Sequence, residues 1–166
     1  MKKSTYIILF FSILLNYSCA TDDTCTQTKY VKLIAGFYHV NDTTHVTSAL
    51  SLDSLSIQGL KYDTLTNKYH LVDSLLYKKQ TGTGLIYLPL DNLATRTAFQ
   101  FKFNTVIDTI TIFHSKNLND FLSLECGCIV THAIDTVIMT KHYIDSVQIK
   151  IHEVNTTNGE NIRLYK

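Results

Sequence analysis

From Tyr30 to Lys166 the chain is a series of short segments in which apolar and polar residues alternate. Side chains of a β-strand point to opposite faces in turn, so this pattern is typical of strands with one buried face. No 12-residue window has a convincing helical period, although a short helical turn fits at 115–122. The pattern predicts strands at 31–40, 49–57, 69–77, 85–90, 98–103, 108–114, 126–133, 136–141, 146–154 and 162–165.

Glycine and proline residues mark the ends of several predicted strands. Thr81-Gly-Thr-Gly84 and Asn158-Gly159 contain residues that tolerate a positive φ, so both segments predict hairpins. Pro89 lacks the amide hydrogen that a residue in a central strand donates to its neighbour. We therefore expect Pro89 at a strand end or on a sheet edge.

The number and spacing of the strands predict the fold class. Phe99, Phe101 and Phe103 alternate with small or polar residues, as in a strand with one buried face and one wet face. About ten strands without room for crossover helices predict an all-β domain. We expect an antiparallel two-sheet sandwich, immunoglobulin-like in style, with a β-barrel as the alternative.

The first residues have the composition of a secretory signal. Lys2 and Lys3 form a positively charged segment, and residues 6–15 are an apolar run with one serine. Crossing a bilayer takes about 20 apolar residues, so this run is too short for a typical transmembrane helix. It matches the apolar region of a signal peptide that is removed on export.

The residues after the apolar run resemble the bacterial lipobox, in which a small residue precedes a cysteine that becomes the lipidated first residue of the mature chain. Ser18 and Cys19 match this motif, whereas Asn16 replaces the usual aliphatic residue. The alternative is a soluble secreted protein in which Cys19 forms a disulfide. We predict a signal peptide at 1–18, a lipidated tether at 19–29 and a β-sandwich domain at 30–166.

Composition and charge favour a folded domain and argue against a nucleic-acid partner. Apolar residues make up 45% of the chain and charged residues 17%, which favours folding over disorder. The 15 basic residues are scattered and are balanced by 14 acidic ones. Without a cationic block, the chain lacks the electrostatic surface that nucleic-acid binding needs.

A triplet of Asp, then Ser or Thr, then in most cases an aliphatic residue recurs along the chain. Such triplets resemble the acceptor motif for protein O-glycosylation in the Bacteroidota, which is modified at the hydroxyl residue outside the cytoplasm. The alternative is structural: Asp bonds its own backbone at a turn, the hydroxyl residue faces water and the aliphatic residue begins the buried face. The candidate glycosylation sites are Thr43, Ser54, Thr64, Ser74, Thr109, Thr136 and Ser146.

The cysteines predict one disulfide in an oxidising compartment. If Cys19 carries lipid, Cys25, Cys126 and Cys128 remain. Cys126 and Cys128 project from the same face of one strand, so a bond between them needs distorted backbone. We expect Cys25 to pair with Cys126 and Cys128 to be a small buried residue, with Cys25 to Cys128 as the other pairing.

The histidines offer the best candidate for a catalytic pair. His132 and His142 would meet across a turn at Asp135-Thr136 and could serve, with Asp145, an enzyme of unfamiliar chemistry. The sequence has no Gly-x-Ser-x-Gly turn, no His-Glu-x-x-His motif and no phosphate-binding glycine loop. We therefore predict no catalytic residue, no metal site and no cofactor.

Several segments taken in order resemble an uncharacterised lipoprotein family of the Bacteroidota. They are Leu88-Pro-Leu90, Thr97-Ala-Phe99, Glu125-Cys-Gly127, Thr140 to Val147 and Val154 to Ile162. The closing segment, Val-Asn followed by Gly-Glu-Asn-Ile, is the sharpest of them. The resemblance implies an envelope location and a β-rich domain. It supplies no mechanism, because the function of the family is unknown.

These features together predict an envelope lipoprotein that binds rather than catalyses. We expect a non-enzymatic binding or assembly module, held at the outer membrane through its N-terminal lipid and facing either the periplasm or the cell surface. Its partner would be another envelope protein or a glycan. An enzyme that uses His132 and His142 is the alternative.

Overall fold

The computed structural model describes residues 30–41, 43–123, 127–156 and 159–166, with their side chains except those of 74, 118–123 and 127–128. All elements of regular secondary structure in these ranges are β-strands, which confirms the predicted all-β class. The strands are β1 (Lys32–Val40), β2 (Thr47–Ala49), β3 (Leu55–Asp63), β4 (Lys68–Gln80), β5 (Leu85–Pro89), β6 (Arg96–Phe103), β7 (Val106–Ser123), β8 (Gly127–Met139), β9 (Ser146–Ile149), β10 (Glu153–Val154) and β11 (Ile162–Tyr165).

The strands form two sheets, as the sandwich prediction required. One sheet has the order β2, β1, β11, β9, with β5 also paired to β1. The other has the order β10, β8, β7, β6, β3, β4. Neighbouring strands are antiparallel except β1 and β11, which run parallel with Ala35 opposite Ile162. The first and last strands of the domain are therefore direct neighbours.

The core is built from the inward faces of both sheets. Leu33 and Phe37 of β1 are no more than 1% exposed, and so is Phe101 of β6. The ring of Phe37 meets the rings of Phe101 and Phe103 edge to face, with centroids 6.5 and 6.1 Å apart. Burying each such side chain contributes roughly 1.5 to 3 kcal/mol, so these residues hold the sheets together.

Two of the predicted strands are each two strands in different sheets. The predicted strand at 49–57 begins at the last residue of β2, in the five-stranded sheet, and ends in the first residues of β3, in the six-stranded sheet. The predicted strand at 146–154 divides in the same way into β9 and β10. In both segments the alternation of apolar residues changes parity at the crossing, between Leu52 and Leu55 and between Ile151 and Val154. Such a shift is also typical of a bulge within one strand, so the pattern alone did not reveal the crossings.

The opposite correction applies to β7 and β8. The predicted strands at 126–133 and 136–141 form one continuous strand, and the predicted helical turn at 115–122 belongs to β7. Thr136 pairs with Phe113 inside the β7–β8 ladder. Because each long strand supplies the other's hydrogen bonds, Asp135-Thr136 does not form a turn.

The glycine segments connect sheets and do not form hairpins. β4 and β5, which flank residues 81–84, lie in different sheets, and so do β10 and β11 around Asn158-Gly159. Gly82 has a φ of +69°, as expected for a turn glycine, whereas Asn158 lies outside the described residues. Pro89 ends β5, which pairs only with β1 among the described strands, so the edge prediction is confirmed.

The register places several loops at one end of the sandwich, which we call the lower end. Leu60, near the end of β3, pairs with Ala98, near the start of β6. Turn 64–67 after β3 and loop 91–95 before β6 therefore lie at the same end. β7 extends past this end, because its pairing with β6 stops at Phe113.

The chain enters the domain at the lower end. Lys32, the first residue of β1, pairs with Pro89 at the end of β5, directly before loop 91–95. Tyr30 forms an isolated bridge to Val130 of β8. β1 ends at the opposite, upper end, where it is followed by the loop that contains Val46.

A buried carboxylate holds the crossing from β8 to β9 at the upper end. Asp108 of β7 is fully buried and accepts hydrogen bonds from the Thr140 hydroxyl and the His142 amide, both at 2.8 Å. It also accepts bonds from the amides of Tyr143 at 2.8 Å and Ile144 at 3.0 Å. Burial alone would raise the pKa of Asp108, but these donors lower it below its ordinary value.

Asp108→Asn tests this arrangement. An amide presents one acceptor oxygen where the carboxylate presents two, so we expect a loss of roughly 2 to 3 kcal/mol in the free energy of unfolding at neutral pH. Urea denaturation followed by circular dichroism gives the value. Asp53→Asn, at an exposed aspartate, is the matched control and should change little. Equal unfolding free energies for the two variants would contradict the role of Asp108.

Candidate functional site

A cleft lies between the two sheets at the lower end. Its volume is about 410 Å³. One wall comes from β3, β4 and β6, and the other from the end of β5. The lining residues are Gly59, Leu60, Lys61, Val72, Leu76, Pro89, Leu90, Asp91, Thr97, Ala98 and Phe99. The lining is mostly apolar, and the cleft is open to solvent on the side of Lys61 and Asp91.

The cleft forms where β4 leaves regular register with β3. Three register shifts interrupt this pair between Leu55 and Leu60. At one of them the Gln58 side-chain amide donates to the carbonyl oxygen of Val72 at 2.7 Å. Such bulges bend an edge strand and disturb its free hydrogen-bonding groups, which makes β4 a poor template for strand addition. The irregular edge instead forms the side of the cleft.

Gly59 lies on the wall of the cleft in the middle of β3. It pairs with Phe99, whose side chain points into the core, so a side chain at 59 would point the same way. Its backbone does not have the positive φ that favours glycine, and an added Cβ would lie 3.8 Å from the nearest atom, the Cβ of Val72. A glycine inside a strand often marks a bulge or the close approach of a ligand, and Gly59 lies at the register shift between Gln58 and Leu60. Here it leaves the cleft open.

The lower boundary of the cleft is polar. The Asp91 amide donates to the hydroxyl oxygen of Thr97 at 2.8 Å. The same hydroxyl lies 2.8 Å from Nε2 of His114, which stands behind the cleft wall. Thr97 therefore connects the cleft to a buried histidine.

His114 forms a pair with His132. The side chains are diagonal neighbours on β7 and β8, because Lys116 lies opposite His132 and Ile134 opposite His114. The two rings are perpendicular with centroids 4.8 Å apart, and both residues are at most 2% exposed. Nε2 of His132 lies 3.0 Å from Oδ1 of Asn92. Within the described part of the chain, neither Nδ1 has a hydrogen-bond partner.

Both histidines are neutral at physiological pH. Burial lowers the pKa of His132 to about 4, with further lowering by His114 and Lys116. Burial likewise lowers the pKa of His114, against the opposing effect of Asp91 and Asp135. The direct partners, Thr97 and Asn92, are uncharged. The two neutral histidines therefore interact with Thr97 and Asn92 through hydrogen bonds and not through ion pairs.

The predicted pairing of His132 with His142 is wrong. His142 lies in the crossing after β8 at the upper end, where its Nδ1 is 2.9 Å from the Ile107 carbonyl oxygen and 3.2 Å from Asp108. The physical reason is the continuous β8, which runs on from His132 to Met139 before the crossing that contains His142. Across the described ranges, no group of three His, Cys, Asp or Glu residues could hold a metal ion.

Sequence reasoning missed His114 and Asn92. A signal for His114 was present: it continues the inward-facing positions Ile110 and Ile112 of β7, both fully buried. A histidine in such a series is predicted to be buried and to need a partner. Asn92 carried no comparable signal, because its contact depends on how loop 91–95 lies against β8.

The candidate glycosylation residues lie in different environments, and their modification stays a prediction. Thr43, Thr64, Thr136 and Ser146 are exposed. Ser54 and Thr109 are half-buried, and the side chain of Ser74 is not described. Asp63 has the predicted turn geometry, since its carboxylate accepts the Leu65 amide at 2.9 Å and the Thr66 hydroxyl at 2.7 Å. Leu65, however, is exposed and does not begin a buried face.

The predicted lipidation site and disulfide lie outside what the structure describes. Cys19, Cys25 and Cys126 are not among the described residues, and the side chain of Cys128 is not described. Both the lipid at Cys19 and the Cys25 to Cys126 bond therefore stay predictions. Searched over the same described residues, the fold contains no helix long and apolar enough to cross a bilayer.

The sharpest sequence motif has a structural role. The amide oxygen of Asn161 accepts the Ile34 amide at 2.9 Å, and its nitrogen donates to the Glu153 carbonyl at 2.9 Å. Glu160 accepts hydrogen bonds from Tyr38 and Arg163, both at 2.7 Å. The motif thus joins β1 to the segment around β10 and does not contribute to the cleft.

These observations describe an all-β, two-sheet domain with one apolar cleft identified between its sheets. A model for a family of unknown function (DUF6452) matches residues 54–166, and the chain belongs to this family. The predicted membership of an uncharacterised family is confirmed at that level. No curated protein and no solved structure matches the chain.

The histidine pair predicts a dependence of stability on pH. An unfolded histidine titrates near 6.5, whereas folded His132 titrates near 4, so between these values only the unfolded state binds the proton. The stabilisation is complete above pH 6.5 and is lost as the pH falls towards 4. We expect a decrease on the order of 3 kcal/mol from His132, measured by urea denaturation at several pH values.

His132→Gln should reduce this pH dependence by the contribution of His132, because an amide does not titrate, and should leave the contribution of His114. The matched control is His70→Gln, whose histidine side chain is 61% exposed, and it should keep the wild-type decrease. An unchanged decrease in His132→Gln would show that other groups cause the acid sensitivity.

Proposed function

We propose that this protein is a non-enzymatic binding module, anchored as a lipoprotein at the outer membrane of the cell envelope, that holds its ligand in the cleft between the sheets. The observation that carries the binding role is the open apolar cleft with Gly59 on its wall. Gly59 lies at a register shift of β3 and β4, and the side chain it lacks leaves room for a ligand on the wall of the cleft.

The lining indicates the chemistry of the ligand. Leu60, Leu76 and Phe99 favour a compact apolar group, because burying apolar surface is the main source of affinity in such a site. Lys61 and Asp91 offer charges at the margin. An amphipathic small molecule or an apolar side chain of an envelope protein fits this lining better than a glycan, which needs many hydrogen-bonding partners.

The envelope location is supported by the N-terminal sequence. Lys2 and Lys3 with the apolar run at 6–15 support export, and Ser18-Cys19 supports lipidation. Acyl chains on Cys19 would hold the domain on a membrane. The resemblance to Bacteroidota lipoproteins supports the same location.

The anchor is tested with Cys19→Ala in cells. Without the cysteine no lipid can be attached, so we expect the protein to leave the membrane fraction and appear in the soluble envelope fraction. Wild-type protein, fractionated in parallel, should stay with the membranes. If the variant still sediments with membrane vesicles in the absence of detergent, lipidation at Cys19 is not what holds the protein there.

The cleft is tested with Gly59→Leu and the fluorescent probe 8-anilinonaphthalene-1-sulfonate, an apolar ring system with one anionic group. A leucine at 59 would fill the cleft, so we expect probe affinity to fall by about tenfold, equivalent to about 1.4 kcal/mol. Ala49→Leu adds similar bulk at an exposed position on β2 and should leave affinity unchanged.

Circular dichroism must show that Gly59→Leu is folded. Gly59→Ala provides a second measurement, since its Cβ makes only ordinary contacts and should weaken binding less. Equal probe binding by folded Gly59→Leu and wild-type protein would remove the cleft as the binding site.

A further inference from the structure

Thr97 brings a hydroxyl group to the cleft. Among the described residues that line the cleft, it is the one with a side-chain hydroxyl. It lies on β6 two positions before the buried Phe99, so its side chain points to the same side of the sheet. A hydroxyl has one hydrogen to donate and two lone pairs that accept. What it can offer a ligand depends on which of these the protein itself leaves unused.

The first lone pair of the Thr97 hydroxyl is taken by the backbone. The Asp91 amide donates a hydrogen bond to the hydroxyl oxygen at 2.8 Å. An amide N–H can only donate, so the hydroxyl accepts in this bond. Asp91 is held in turn, because its carboxylate accepts the Leu93 amide at 2.8 Å. One side of the hydroxyl oxygen is therefore occupied by an ordered turn.

The second lone pair is taken by His114. Nε2 of this histidine lies 2.8 Å from the same hydroxyl oxygen, and its role depends on which ring nitrogen carries the hydrogen. A hydrogen on Nδ1 would be a buried donor without an acceptor, because Nδ1 of His114 has no hydrogen-bond partner among the described residues. Such donors are costly and rare. The hydrogen therefore lies on Nε2, and His114 donates to Thr97.

His132 has its hydrogen at the same ring position. Its Nε2 lies 3.0 Å from Oδ1 of Asn92, an oxygen that can only accept, so Nε2 of His132 is the donor. Its Nδ1, like that of His114, is buried without a described partner, so the two Nδ1 atoms do not bond each other. Both histidines thus donate hydrogen bonds to the segment 92–97, and neither takes a hydrogen from it.

With both lone pairs occupied, the Thr97 hydroxyl still has its hydrogen, and no acceptor in the described part of the protein takes it. We propose that Thr97 donates this hydrogen bond to the ligand, so that the cleft selects an apolar molecule that carries an accepting oxygen, as in a ketone or an ester. This inference rests on the proposed binding of a ligand in the cleft and names the chemistry of that ligand.

The selection follows from what a ligand does to the hydroxyl. Thr97 is half-buried, so water can reach it while the cleft is open. A ligand that covers Thr97 and has no accepting oxygen leaves the hydrogen without a partner, whereas a ketone or ester oxygen replaces the water. A site with a polar group placed in this way rejects analogues that lack the matching group. The surrounding apolar residues Leu60, Leu76 and Phe99 do not make this distinction.

The position of the hydrogen on His114 is tested in the wild-type protein. Long-range ¹H–¹⁵N correlation spectra at neutral pH distinguish a ring nitrogen that carries hydrogen from one that does not, and loss of signals in His114→Gln assigns them. We expect the hydrogen of His114 on Nε2. A hydrogen on Nδ1 would make Thr97 the donor to His114 and would overturn the proposal, whatever the variants below show.

The ligand preference is tested with two naphthalene dyes. One is 6-propionyl-2-dimethylaminonaphthalene, which has a ketone oxygen, and the other is its 6-propyl analogue, which has a methylene group in place of the ketone. Thr97→Val keeps the size of the side chain and removes the hydroxyl. We expect the affinity for the ketone dye, from fluorescence titration, to fall by about tenfold, the effect of one hydrogen bond. The affinity for the propyl dye should change little.

The controls separate the hydroxyl from its surroundings. Thr97→Ser keeps the hydroxyl and should keep the wild-type ratio of the two affinities. Thr95→Val makes the same exchange at an exposed residue that is not in the lining of the cleft, and both affinities should stay unchanged. Gly59→Leu should weaken the binding of both dyes alike, because it fills the cleft itself. Circular dichroism must show that each variant is folded.

Two results would count against the proposal in different ways. If folded Thr97→Val loses the same factor for both dyes, or for neither, Thr97 does not recognise an oxygen, and the inference fails while the cleft remains a binding site. If wild-type protein binds neither dye, the cleft is not a binding site for apolar molecules of this size, and both the proposed function and the inference fail.

Discussion

The contact between the Asp108 carboxylate and the loop after β8 stabilises the crossing from β8 to β9, one of the passages that join the two sheets. A chain that passes from one sheet to the other carries backbone amides through the interior, where unpaired groups are costly. Asp108 supplies the missing acceptors to three successive amides, those of residues 142–144. This allows Ile144 to be fully buried and Tyr143 to stack on Phe103, with ring centroids 4.2 Å apart. The buried carboxylate of Asp108 thus allows a loop with apolar side chains to cross between the sheets.

Asn161 solves the same problem elsewhere, with its side-chain amide in place of ladder hydrogen bonds between β1 and the segment around β10. With these crossings fixed by buried side chains, the irregular part of the fold is the long edge strand β4. Its bulges and the missing side chain of Gly59 leave space between the sheets. The cleft is therefore a consequence of how the edge of one sheet departs from its neighbour.

Local pattern was sufficient for features that depend on neighbouring residues. Alternation correctly located β1, the buried phenylalanines of β6 and the position of Pro89, because burial repeats every second residue in a strand. It failed where contacts are distant in sequence. The parity shift at the crossing between β2 and β3 looks the same as a bulge within one strand, and the meeting of His114 with His132 depends on the register of two long strands. The cleft was unpredictable for the same reason, since Gly59 meets Val72 only through a bulged pairing.

The parallel pairing of β1 with β11 determines when the domain can finish folding. Ala35 pairs with Ile162, which lies far from it in sequence, and the centre of the sheet is incomplete until this pair forms. A chain that emerges N-terminus first presents β1 long before its partner β11. Pairing of such distant segments is slow because a large loop must close first. The centre of this sheet therefore becomes rigid only when β11 is available to β1.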